Sequence, residues 1–239
     1  MQIKDKIKTL IPEKKDKKPV FILLSVPFIF TIWKYQGSPV FFDRNLAQIF
    51  SSSADLEFLR IVYYGFSSIF FLFLIPALII KFIFKEKLSN YGLRFADGKF
   101  GLKVILIAYP IILLSMYPAS LTPEYQALNP MYSDAGKSVP VFILYAAVYG
   151  LYYIGYEFFF RGYMLFGLRE RFGDTYAILI QTVPSCIAHI GRPESEMISS
   201  ILAGLVFGYL VLRSRSIWYV LVLHWLIGIG CDLLCLLAK

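Results

Sequence analysis

Residues Ile61–Ile80 read IVYYGFSSIFFLFLIPALII, a run without a single charge. A bilayer core of about 30 Å is crossed by about 20 apolar residues in helical form, so this run predicts a membrane-spanning helix. The same reading extends along the chain. Spans are expected at 19–36, 60–84, 100–118, 139–166, 175–190, 197–212 and 217–237. The expected fold class is all-α, a polytopic transmembrane bundle of about seven spans. Composition agrees: the 239 residues are 58% hydrophobic and 18% aromatic, above the usual apolar share of about 45–50%.

The net charge of +8 does not point to nucleic acid, because the basic residues gather in loops, where membrane topology places them. The Lys-rich start, the 81–103 connection, Arg169 with Arg171, and Arg213 with Arg215 define one side; the 118–138 loop holds only Lys137. A cytoplasmic N-terminus follows from this bias, with Lys34, Arg44 and Arg60 as exceptions on the outer side. Residues 1–18 are expected to form a cytoplasmic basic tail ahead of an uncleaved anchor, and 19–118 a scaffold of transmembrane helices. Residues 119–138 are read as an external loop, a plain connector in preference to a cap over the cavity, and 139–239 as the working core. Cys186, Cys231 and Cys235 lie in apolar segments and read as small buried hydrophobes.

Inside the fourth expected span sits Tyr156-Glu157-Phe158-Phe159-Phe160-Arg161-Gly162. Ionisable groups at membrane depth are costly and mark functional sites. Glu157 and Arg161 are four apart and share a helix face, so their attraction keeps both charged. The chain's two histidines, His189 and His224, also fall in apolar segments. Counted along helices from the cytoplasmic edge, Glu157, His189 and His224 stand at roughly 15, 21 and 12 Å. Three such groups at similar depth on three helices predict one site.

That set permits two chemistries. The carboxylate can take a proton from water while imidazoles stabilise the oxyanion. Alternatively, Glu157, His189 and His224 can hold a zinc ion with one open position. The cofactor is thus zinc or none. Glu194 and Glu196, in the turn after His189, are expected to complement the dipole of the sixth helix; a place at the cavity mouth is the alternative. Gly204 and Gly208 form a GxxxG packing face.

These residues resemble the CPBP family, the CAAX prenyl endopeptidases and bacteriocin-processing (Abi) membrane proteins. The likeness covers about 139–230. Its first motif, Glu-Glu-x-x-x-Arg, reads here with Tyr156 at the first Glu, then Glu157 and Arg161. Its second, an aromatic followed four residues on by His, reads Ser185 and His189. Its last, His-x-x-x-Asn/Asp, reads His224 and Gly228. The resemblance implies an intramembrane endopeptidase of a bacterial plasma membrane that cleaves peptides or membrane-anchored proteins. Glu157 and His189 would activate water, while His224 and Arg161 shape the pocket. Tyr156, Glu194, Glu196 and Gly228 would line the cavity. Two other functions fit the same residues: an inactive peptide-binding immunity or scaffold protein, favoured by Tyr156 and Gly228, and a proton-coupled transporter.

Overall fold

The computed structural model describes residues 13–52 and 55–239; most of the basic tail expected at 1–18 lies outside the described residues. Helix α1 (Lys17–Gln36) is followed by the short α2 (Pro39–Asn45), then α3 (Leu56–Phe84), α4 (Gly98–Ser120) and α5 (Pro123–Leu128). A helical run of 49 residues, Val139–Ile187, comes next, and α8 (Glu194–Ser214) and α9 (Trp218–Leu237) complete the bundle. The long run is broken at Gly173, whose φ of 78° and ψ of 168° are not helical. We therefore treat it as two arms, α6 (139–172) and α7 (174–187).

Among the described residues, six stretches are long and apolar enough to cross a membrane when α6 and α7 are taken together. The seventh expected span is the α7 arm. The backbone at Gly173 lies in a region open essentially to glycine alone, so one residue breaks the run without a loop. Gly173→Ala should therefore lower stability by about 1–3 kcal/mol, read as a fall in the melting temperature of the detergent-solubilised protein. A Cβ there would meet nothing within 4 Å, so a larger loss would show that backbone strain is not the cause.

Helix starts carry their own signals. The Asp55 side chain accepts from the Phe58 N–H at 2.8 Å to open α3. Ser138 accepts from the Val141 N–H to open α6, with Pro140 in the first turn; a hydroxyl or carboxylate there pairs an amide that the helix leaves without a partner. Inside the bundle, small residues let helices touch. Thr182 of α7 stands 2.7 Å from where a Cβ on Gly204 of α8 would lie, and the Gln181 side chain donates to the Gly204 carbonyl at 2.8 Å. The GxxxG face thus joins α8 to α7. In α4 the outward Leu102, Leu106 and Leu114 are exposed, the composition of a lipid-facing surface. An integral membrane protein is the environment these helices require.

The 119–138 segment is not a bare connector. It folds into α5 and a 3₁₀ turn at Ser133–Gly136 and is tied to α3. Tyr132 donates to Asp55, the Ser133 N–H donates to Glu57 at 3.1 Å, and Arg60 donates to the Met131 carbonyl at 3.2 Å. Arg60 also pairs with Glu57 at 3.1 Å and Asp43 at 3.4 Å, which neutralises one of the charges that depart from the expected basic-loop pattern. The segment then lies over the bundle, and its Tyr125, Asn129 and Met131 form part of a cavity wall.

Candidate active site

The bundle encloses a cavity of about 550 Å³ beneath that segment. His224 of α9 and His189, in the turn after α7, both face it. Behind His224, and outside the cavity lining, lies Glu157, which is fully buried. The His224 Nδ1–H donates to Glu157 Oε1 at 2.6 Å. Two groups expected at similar depth therefore meet, although they are 67 positions apart in the chain.

Glu157 stands where α6 changes its winding. Phe158–Phe166 forms a π-helix, and every residue in it is buried. Wide turns of this kind recur at functional sites, because they shift the residues on one face relative to an ordinary helix. Arg161, within that stretch, brings its Nε to 3.5 Å from Glu157 Oε2. This is an ion pair without a completed hydrogen bond: Arg161 Nε and Nη1 and Glu157 Oε2 have no hydrogen-bond partner among the described residues. The guanidinium instead lies near the rings of Tyr156 (5.4 Å), Phe207 (5.9 Å) and Phe160 (6.0 Å). Aromatic faces stabilise a dehydrated cation, so this box offsets part of the cost of burying Arg161.

His189 is held from another direction. Its Nδ1–H donates to the Ser185 carbonyl at 2.9 Å. Both imidazoles thus have Nδ1 engaged by an acceptor, which leaves each Nε2 as the free, lone-pair edge. The ring of Tyr156 lies near both, with centroids 5.5 Å from His224 and 6.3 Å from His189. Tyr156 donates to the Ser185 carbonyl at 3.0 Å, and its oxygen lies 2.9 Å from Ser185 Oγ. Two departures from the family motifs, Tyr156 and Ser185, therefore touch: the added ring occupies space beside a small residue.

The zinc set expected from Glu157, His189 and His224 does not form. Both carboxylate oxygens of Glu157 are turned to His224 and Arg161. Among the described residues, no group of three or more His, Cys, Asp and Glu side chains is placed to hold a metal ion. The cavity residues also need correction. Tyr156 is fully buried and outside the lining, because its hydroxyl is turned toward Ser185. Glu194 is exposed at the start of α8, outside the lining. Gly228 and Glu196 do line it. Glu196 accepts from Arg192 Nε at 2.9 and 3.0 Å, and Arg192 donates onward to Asn129 at 2.8 Å. Burial opposes the charge on Arg192, but Glu196 more than reverses this and raises its pKa. The rim is a paired charge cluster and not a second free carboxylate.

Sequence reasoning missed Tyr153 and Phe207, whose rings pack against His224 at 4.9 and 5.6 Å. Aromatics are so frequent here that neither stood out. The position of Tyr153, one turn before Glu157 on the same helix, was the available signal.

A helical bundle that seals a Glu–Arg pair behind a cavity-facing histidine belongs to the class of membrane proteins with a polar site built between helices. Residues 135–229 match the family described as Rce1-like, type II CAAX prenyl endopeptidase. That segment carries Glu157, Arg161, His189 and His224, and the match supports the resemblance to the CPBP family. No curated protein and no solved structure matches the chain.

Proposed function

We propose that this protein is an intramembrane endopeptidase that hydrolyses peptide bonds of membrane-associated peptides or proteins. The observation that carries the reading is the Glu157–His224 contact, buried on the Glu157 side and open to a cavity on the His224 side. A carboxylate on Nδ1 fixes the tautomer and supports the positive charge that forms when Nε2 takes a proton. His224 is therefore the general base, Glu157 the group that orients it, and Arg161 the cation paired with Glu157. His189, with its own free Nε2, positions the water or passes a proton to the leaving amine.

The cavity suits a chain rather than a small polar molecule. Its lining is largely apolar and aromatic: Tyr64, Tyr149 and Tyr152 line it together with Ile112, Leu202 and Val206, and Tyr64 stacks on Tyr152 at 4.9 Å. An extended apolar peptide segment fits such a surface. A cytoplasmic N-terminus, which the basic loops favour, would put the 119–138 segment over the cavity on the outer side.

The test uses purified protein in detergent and two internally quenched peptides with the same apolar sequence, one carrying a farnesylated CaaX end. His224→Ala should lower cleavage about 10²–10⁴-fold, the usual contribution of a positioned base. His189→Ala should lower it by a smaller factor within that range. Binding of both peptides with no cleavage by wild-type protein would instead favour the binder reading, which Tyr156 in place of a motif glutamate supports. Peptide-driven proton flux in liposomes without cleavage would favour the transporter.

A further inference from the structure

Helices α6 and α9 face each other in two rungs. Glu157 meets His224 in the first. One turn away along each helix, Tyr153 meets Gly228: a Cβ built on Gly228 would lie 1.8 Å from the Tyr153 hydroxyl oxygen and 2.7 Å from the ring carbon that bears it. Gly228 is thus bare because Tyr153 occupies the space a side chain would fill. Tyr153 is 4% exposed, and both residues line the cavity. The Tyr153 ring stands edge-to-face against the His224 imidazole, with centroids 4.9 Å apart and planes at 70°.

The cavity wall therefore presents a base and a hydroxyl about one helical turn apart, on the order of 5.4 Å. A carbonyl carbon between them can be within about 3 Å of both, the spacing that hydrolysis needs. The α9 backbone is in helical hydrogen bonding there and supplies no free N–H for this purpose. We propose that the Tyr153 hydroxyl is the hydrogen-bond donor that holds the oxyanion of the tetrahedral intermediate. This inference rests on the endopeptidase reading.

The step balances as follows. Water oxygen bonds to the peptide carbonyl carbon while His224 Nε2 takes its proton. The carbonyl π pair moves to oxygen, which accepts the hydrogen bond from Tyr153. Collapse of that oxyanion breaks the C–N bond, and the proton on His224 passes to the leaving amine nitrogen. Tyr153 remains protonated throughout, because it donates a hydrogen bond and never a proton.

Tyr153→Phe removes one oxygen and keeps the ring that packs on His224. The expected result is a fall in kcat of about 10²–10³-fold, the effect of losing one oxyanion donor, with KM within about twofold and an unchanged melting curve. A second measurement separates this from a packing defect. A phosphonate analogue of the quenched peptide carries the tetrahedral anion, whereas the uncleaved peptide does not. Tyr153→Phe should weaken the phosphonate about 10²-fold and leave peptide affinity unchanged. Tyr163→Phe, which removes a hydroxyl bonded to Ser25, should behave as wild type in both assays. If wild-type protein cleaves and His224→Ala does not, yet Tyr153→Phe keeps full kcat and full phosphonate affinity, the donor assignment is wrong and the endopeptidase reading stands. If wild-type protein cleaves neither peptide, the endopeptidase reading fails first and the donor role falls with it.

Discussion

Glu157→Gln should abolish turnover and destabilise the protein at once, and a second substitution should separate the two losses. When the carboxylate partner of a catalytic imidazole becomes an amide, the ring loses its correct tautomer and its counter-charge, and kcat falls by about 10⁴-fold. Stability falls for a different reason. Arg161 is 1% exposed, with Nε and Nη1 unpartnered and Glu157 as its one ion-pair partner among the described residues. Removing one member of a buried pair costs about 3–5 kcal/mol, because the remaining charge stays dehydrated and alone. The aromatic box of Tyr156, Phe160 and Phe207 recovers only part of that. Glu157→Gln combined with Arg161→Met removes both charges and keeps an unbranched side chain in the box. The double variant should melt higher than the single one while remaining inactive. A double variant no more stable than Glu157→Gln would show that the pair is not what ties stability to the site.

The second large effect runs against the family pattern. Putting the motif residue back, Gly228→Asn, should inactivate this protein rather than improve it. The new Cβ would fall within bonding distance of the Tyr153 hydroxyl, and a buried aromatic ring moves only as a unit. Overpacking of a filled interior costs about 1–3 kcal/mol, and here the strain displaces the ring that braces His224. A clear loss of cleavage, with a melting temperature lowered by several degrees, is expected. Gly228→Asn with Tyr153→Ala should recover the stability, since removing the ring opens the space. A fully active Gly228→Asn single variant would contradict the packing described for this rung.

Much of the fold was legible because helices report themselves locally. Charge-free runs set the spans, and paired glycines marked a contact face. The spans expected at 139–166 and 175–190 form one helical run, Val139–Ile187, broken at Gly173 alone; a one-residue break has no composition of its own. For the 119–138 segment a plain connector was preferred to a cap over the cavity. Its prolines signal irregular backbone, but the ties from Tyr132 and Ser133 to Asp55 and Glu57 join positions more than 70 apart.

Glu157, Arg161, His189 and His224 stood out by cost alone: charge and imidazole inside apolar sequence need a reason. The sequence by itself therefore singled out these groups and placed them on helices apolar enough to cross a membrane. Which partner each group takes was decided only by tertiary packing. His224, and not His189, receives Glu157; Tyr156 bonds Ser185; and Tyr153 fills the space Gly228 leaves. Helical periodicity places a residue on a face, but the rotation of one helix against another fixes what that face meets, and that rotation is set by the sum of side-chain contacts across the whole bundle.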